Sequence, residues 1–75
     1  MRVRDYVRRY ATVTRFIVGD ENDPDSLVLF RWERCDENCN VAVFSEGQSG
    51  FLNGESARRH AAGRGFEVIQ KPKKL

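Results

Sequence analysis

The sequence predicts a single small α+β domain, in which an antiparallel meander of three or four strands carries one short helix on one face. Two observations predict this class. Stretches rich in β-branched and aromatic residues alternate with clusters of turn-forming residues before residue 46. An alanine-rich stretch then follows, with a capping residue in front of it and glycines behind it. The 75 residues allow one domain with one core.

The first ten residues fit two structures. Apolar side chains recur at the i, i+3, i+4 and i+7 positions of one helical face, with charged residues between them. These apolar residues are Val3, Tyr6, Val7 and Tyr10. The spacing predicts a short helix over residues 1–10, and a long strand that continues into the next segment is the alternative.

Three strands are predicted in the middle of the chain, at residues 11–18, 27–34 and 41–45. The first two are separated by an acidic turn-former cluster at 19–26, and the next two by a short polar turn at 35–40. Parallel strands need a crossover of about a dozen residues. These shorter connections therefore predict antiparallel pairing.

A helix is predicted over residues 53–62. Asn53 is a favourable N-cap residue, and Glu55 lies in the first turn, where the helix dipole stabilises an anion. Leu52 and Ala57 occupy the two positions of a hydrophobic staple. Together these features mark where the helix begins.

Glycines bound this helix on both sides. The segment 46–50 before it reads as a flexible glycine-rich loop, and Gly63 and Gly65 suit the left-handed conformation that ends a helix. A last strand is predicted at residues 66–70, followed by a basic tail at 71–75.

The side chains that could support catalysis or bind a metal are few. Cys35 and Cys39 have a spacing close to that of metal ligands, but a structural zinc site needs four ligands and the chain has one histidine. We expect two thiols and no metal, while a disulfide across the turn stays open. His60 is predicted near the solvated edge of the helix, with no nucleophile in a recognisable context. The glycine-rich loop lacks the lysine of a phosphate-binding loop. We therefore expect no catalytic residue, no cofactor and no enzyme activity.

Charge is strongly segregated along the chain, although the net charge is only +2. Residues 1–18 hold five arginines against one aspartate, and residues 57–75 hold six basic residues against one glutamate. Residues 20–25 hold four acidic residues and no basic one. This separation favours a charged partner, and it serves solubility and internal pairing equally well.

Without a catalytic constellation, a domain of this size acts through its surface. The expected function is a small stoichiometric protein-binding module that inhibits or modulates a larger protein or complex. By analogy, a phage or mobile-element accessory protein that acts on a defence nuclease has this character. Arginine and tryptophan dominate interface energetics, so they are the predicted binding residues. These residues are Arg31, Trp32, Arg34, Arg58 and Arg59.

The alternative is a nucleic-acid-binding protein, because ten of the 13 basic residues are arginines, which bind phosphates bidentately. The residues predicted for this role lie on the first strand and at both ends. They are Arg2, Arg4, Arg8, Arg9, Arg15, Lys71, Lys73 and Lys74. The isoelectric point of about 8.8 is below the range above about 9 that is typical of such domains.

A resemblance points the same way. Three short strands followed by a helix entered through Leu52-Asn53-Gly54-Glu55-Ser56-Ala57 resemble the small sheet-plus-helix DNA-binding domains of the AP2 and integrase-arm type. In those domains the sheet lies in the major groove. The resemblance covers about residues 27–62. The strand predicted after Gly65 and the acidic turn depart from that pattern, so no site residue is carried over.

The expected location is the cytoplasm. The first residues are charged, without the apolar stretch of a signal peptide. The longest apolar run, at residues 27–30, is far too short to span a bilayer, so no membrane partner is expected. The sequence leaves open the identity of the partner and whether the chain is a monomer or a homodimer.

Overall fold

A computed structural model describes residues 8–41 and 46–70 of the chain. The described residues form four strands and one helix, and they confirm an α+β fold in which one helix packs on a sheet. In chain order the elements are β1 (Tyr10–Val18), β2 (Leu27–Cys35), β3 (Gly47–Phe51), α1 (Gly54–Gly63) and β4 (Glu67–Val68).

The sheet has the strand order β3-β2-β1-β4. β1 pairs antiparallel with β2 along its whole length, from Tyr10 opposite Cys35 to Val18 opposite Leu27. β2 also pairs antiparallel with β3, with an irregularity in the register after Phe30. β4, in contrast, runs parallel to β1. The prediction of a purely antiparallel sheet is wrong at this strand, because α1 supplies the crossover that a parallel neighbour requires.

The third described strand lies in a segment for which no strand was predicted. Most of the predicted strand 41–45 is outside the described residues, and Val41 is not in a strand. A strand is formed by Gly47–Phe51, mostly in the segment that was predicted to be a flexible loop. A Cβ atom on Gly47 would lie 2.6 Å from the carbonyl oxygen of Trp32. Glycine is present here because the two backbones approach closely, which is a role in a strand that propensity does not reveal.

The helix begins where it was predicted. Asn53 is the N-cap, and its side-chain oxygen accepts a hydrogen bond of 2.8 Å from the backbone N–H of Ser56. The predicted hydrophobic staple is wrong, since Leu52 is 76% exposed. Its intended partner Ala57 is fully buried against the sheet and presents no surface that Leu52 can reach.

The ends of the described chain differ from two further predictions. The helix predicted over residues 1–10 lies mostly outside the described residues, and Tyr10 already belongs to β1. The last strand is only Glu67–Val68, a short part of the predicted 66–70. The basic tail 71–75 is also outside the described residues.

The core forms where α1 crosses the first half of β1 and the second half of β2. Small side chains on the helix let it approach the sheet closely, and the indole of Trp32 fills the space between them. The cluster consists of Ala11, Trp32, Ala61 and Phe66, with Val13, Phe51 and Val68 packed against it.

The rest of the β1–β2 hairpin extends beyond this core. We call residues 15–18 and 27–29, with the loop 19–26 that joins them, the outer hairpin. None of its residues belongs to the core cluster, and all of them are half-buried or exposed. The molecule is accordingly elongated, at 52 × 30 × 22 Å. Among the described residues, no helix has both the length and the apolar character needed to cross a membrane.

Candidate functional site

A cleft of about 470 Å³ lies at the end of the sheet where β1 begins and β2 ends. We call it the arginine cleft. The antiparallel register places Tyr10 directly opposite Cys35, so the residues before β1 and those after β2 meet there. Its lining residues are Arg8, Arg9, Tyr10, Arg34, Cys35, Asp36, Glu37 and Asn40.

Of the three arginines, Arg9 is held by neighbouring groups. Nη2 of Arg9 donates a hydrogen bond of 3.2 Å to the carbonyl oxygen of Arg64, and the guanidinium lies 4.9 Å from the centre of the Phe66 ring. The proximity of the Tyr10 side chain raises the pKa of Arg8. The third, Arg34, is exposed and makes no ion pair with another residue in the described part of the chain.

The acidic residues of the cleft oppose these charges only in part. The carboxylate of Asp36 accepts hydrogen bonds from the backbone N–H groups of Asn40, at 2.9 Å, and of Asn38, at 2.8 Å. These bonds lower the pKa of Asp36 and hold its loop. Glu37 is exposed. The cleft therefore has three cations against two carboxylates, of which Asp36 is engaged in the turn and Glu37 is not.

The two cysteines flank this loop as free thiols. Burial, and next the proximity of Cys39, raises the pKa of Cys35 to about 11, so this thiol is protonated at neutral pH. Cys39 is half-buried and adopts a left-handed backbone conformation with φ 65°. Within residues 8–41 and 46–70, no group of three or more His, Cys, Asp or Glu side chains is placed to hold a metal ion.

Trp32 lies in the core and not on a surface. Its side chain is 1% exposed, so the indole that was predicted to bind a partner is buried in this conformation. The indole N–H donates a hydrogen bond of 2.9 Å to Nδ1 of His60. His60 is half-buried, with its ring 5.3 Å from that of Phe51, and not at the solvated edge where it was predicted. It satisfies a buried donor, which is a structural role.

The other predicted binding residues are spread over separate surfaces. Arg31 lies on the face of the sheet opposite the helix, since it precedes the inward-facing Trp32 by one position. It pairs with Glu33 at 3.3 Å and donates to the hydroxyl of Thr14 at 3.2 Å. Its guanidinium also lies 5.4 Å from the centre of the Phe16 ring.

On the helix, Arg58 and Arg59 both reach Glu55, at 3.9 and 3.6 Å. Arg34 lines the arginine cleft at the end of the sheet. The five predicted residues are thus divided between the core, the helix, the opposite face and the cleft. They do not form one surface.

The residues predicted for nucleic-acid binding are brought together only in part. Arg8 and Arg9 lie in the arginine cleft, where the structure adds Arg34 from the other predicted set. Arg15 is five residues along β1 from Tyr10, which corresponds to about 17 Å. The remaining members lie outside the described residues. These are Arg2, Arg4, Lys71, Lys73 and Lys74.

The outer hairpin is a surface that the sequence reasoning missed. Val18 and Leu27, which face each other at the end of the ladder, are 51% and 52% exposed, and Val28 is 38% exposed. The loop beyond them is acidic, and its turns are closed by Asp20 and Asp23, whose carboxylates accept backbone N–H groups two residues on. The sequence did contain a signal for this surface. Close to the loop, both strands carry apolar residues on both faces, whereas a sheet that is covered on one face only needs apolar residues on that face alone.

Comparisons with protein-family models, with curated proteins and with solved structures gave no match for this chain.

Proposed function

We propose that this chain is a small stoichiometric protein-binding module that inhibits or modulates a larger protein or complex, and that it docks through the outer hairpin. The observation that supports this is the exposure of the cross-strand apolar pair Val18 and Leu27 at its end, with Val28 exposed on the other face of the ladder. Adjacent exposed apolar residues are typical of protein-binding surfaces. The role in countering a host defence nuclease belongs to the same proposal and rests on analogy.

The charges around the outer hairpin indicate the kind of partner. Asp20, Glu21, Asp23 and Asp25 are all exposed beside the apolar pair Val18 and Leu27. An apolar centre with a charged rim is the usual anatomy of a protein interface. The complementary partner surface is apolar with a basic rim, and the acidic loop accelerates its approach at low salt.

The experiment compares variants of exposed apolar residues inside and outside the outer hairpin. Val18→Ser and Leu27→Ser remove apolar side chains from it, whereas Val41→Ser removes one of 39% exposure from elsewhere. The wild-type protein is used to capture partners from nuclease-treated host lysate, and the partner is then purified and titrated by calorimetry. We expect 1:1 binding, weakened about tenfold or more by Leu27→Ser and unchanged by Val41→Ser.

The proposal fails if the hairpin variants bind the purified partner as tightly as the wild-type chain does. It also fails if a purified sample turns over a metabolite and one substitution abolishes that turnover, because binding would then be secondary to catalysis.

A second candidate function is nucleic-acid binding, and the observation that favours it is the meeting of Arg8, Arg9 and Arg34 in one cleft. Affinity for nucleic acid falls linearly with salt on a log–log plot, with a slope set by the number of phosphates contacted. A mobility-shift titration at several salt concentrations tests this. If neither duplex nor single-stranded DNA or RNA binds at low salt, this candidate is excluded.

A further inference from the structure

We propose that the arginine cleft is a binding site for one phosphate dianion, either free or as a monoester. This site is separate from the outer hairpin, about 26 Å away along the β1–β2 ladder. Its ligand differs in kind from the partner protein proposed above. The two proposals can therefore fail independently.

The charge in the cleft selects an anion. Arg8, Arg9 and Arg34 all line the cleft of about 470 Å³. The lining also holds Asp36 and Glu37, so three cations face two carboxylates and one positive charge is in excess; the Asp36 carboxylate is engaged by the N–H groups of Asn38 and Asn40. Anions bound by several guanidinium groups form charge-assisted hydrogen bonds, which are the strongest available to side chains.

The number of donors selects phosphate over carboxylate. A carboxylate has two oxygens and one negative charge, which leaves part of a three-arginine site unsatisfied. A phosphate monoester carries a charge of about −1.5 to −2 at neutral pH and has three strong acceptor oxygens. Tyr10 and Asn40 add a hydroxyl and an amide to the same lining. The volume of the cleft is also in the range of small-ligand sites, about 300–1,000 Å³.

One member of the site is already oriented. Arg9 is fixed from behind by the carbonyl oxygen of Arg64 and by the ring of Phe66. A guanidinium has five N–H donors, so this contact leaves others free to bind a ligand. A group that is held before binding loses less side-chain entropy on binding.

The arrangement favours a single phosphate over a nucleic-acid backbone. A backbone presents singly charged diesters in a row, and it is bound by cations distributed along its path. Here three arginines line one cleft, whereas the next arginine of β1, Arg15, is about 17 Å from Tyr10. A single cleft of this kind matches one doubly charged group.

The test is a titration followed by ¹⁵N–¹H NMR, at constant ionic strength set with chloride. Inorganic phosphate, phenyl phosphate, dimethyl phosphate and acetate are the four probes. We expect saturable shifts in the amides of Arg9, Arg34 and Asn40 with the first two probes. The diester and acetate should bind about tenfold more weakly or not at all. Binding of inorganic phosphate alone identifies the free ion as the ligand, and binding of both identifies an ester-tolerant site.

Matched variants separate the site from general charge. Arg34→Gln removes one cation from the cleft, whereas Arg59→Gln removes one from an exposed position on the helix. We expect Arg34→Gln to lower phosphate affinity about tenfold and Arg59→Gln to leave it unchanged. Arg8→Gln provides a second cleft variant if Arg34→Gln does not fold, and the unshifted resonances of the core report folding in each case.

Three results overturn the proposal. They are an absence of saturable binding, equal losses in the cleft and helix variants, and a diester that binds as tightly as the monoester. The last result would assign the cleft to a nucleic-acid backbone.

Discussion

The indole of Trp32 combines two demands on one buried residue. It supplies the largest fully buried side chain of the described core, and its ring packs 5.0 Å from that of Phe66. Its N–H is a polar donor that must find an acceptor once it is removed from water. Nδ1 of His60, one turn before the end of α1, provides that acceptor. The only histidine of the chain is therefore explained by packing.

His60→Leu should lower the free energy of unfolding by about 1–3 kcal/mol, because it leaves the buried indole N–H without a partner. His60→Gln, whose side-chain oxygen can accept a hydrogen bond, should recover part of this loss. The neighbouring Arg59→Leu provides the control and should change stability by only about 0.5 kcal/mol. Urea unfolding followed by Trp32 fluorescence measures all three. Equal stability of the Leu and Gln variants would show that the hydrogen bond contributes little.

The two cysteines should differ in reactivity. Since burial raises the pKa of Cys35 to about 11, its reactive thiolate is scarce at pH 8 and increases only as the pH rises towards that value. Cys39, which is half-buried, should be alkylated first. Iodoacetamide labelling followed by mass spectrometry compares Cys35→Ser with Cys39→Ser at pH 8. Labelling should be fast in Cys35→Ser and slow in Cys39→Ser, and the reverse order would contradict the burial of Cys35.

At the scale of the elements, β3 shows what limits prediction from sequence. β1, β2 and α1 were predicted to within about a residue at each end, because their residues carry the signal themselves: β-branched runs in the strands, and Asn53 before the helix. Gly47-Gln48-Ser49-Gly50 has almost no strand propensity. It becomes a strand because β2 presents an edge and Gly47 allows close approach, which is tertiary context.

Gly47→Ala should destabilise the fold by about 1–3 kcal/mol, because the new methyl group would lie 2.6 Å from the Trp32 carbonyl oxygen and 3.2 Å from the Glu33 Cα, and backbone atoms cannot turn aside. Gly63→Ala is the matched control. At that position nothing lies within 4 Å, and alanine should stabilise the helix by about 0.5–1 kcal/mol. Thermal unfolding followed by circular dichroism gives both values. Equal effects of the two substitutions would mean that β3 does not pair closely with β2.

The sequence predicted which residue types would form the candidate sites, but not which residues would lie together. Arginine was correctly singled out as the abundant cation, but the cleft joins Arg8 and Arg9 to Arg34 across 25 residues of sequence, through the register of Tyr10 and Cys35. That register depends on the hairpin, not on any local motif. Trp32 was wrongly placed on a surface because the alternation of residues along a strand shows that one face of the sheet is buried but does not show which face it is.

At the scale of the whole molecule, one continuous hairpin lies partly in the core and partly in solvent. Its first half, around Ala11 and Trp32, lies under α1 and belongs to the core. Its second half has the same ladder of cross-strand pairs, but no helix covers Val18 and Leu27. The backbone hydrogen bonds of the ladder continue into the outer hairpin, but the packing against the helix does not. Local stability therefore decreases from the cleft towards the acidic loop.

Native-state hydrogen exchange should reveal this gradient. Hydrogen-bonded amides of the ladder near Ala11 and Arg34 should exchange only through global unfolding, because they open with the core. Those near Val18 and Leu27 should exchange faster by about an order of magnitude or more, because the outer hairpin can open locally. Exchange followed by NMR, with the denaturant dependence of each rate, distinguishes the two processes. Adding the partner protein should slow exchange in the outer hairpin selectively, since docking replaces the packing that it lacks. Uniform protection along the free hairpin would mean that the outer half is as stable as the core, and protection gained elsewhere would place the docking surface on another part of the molecule.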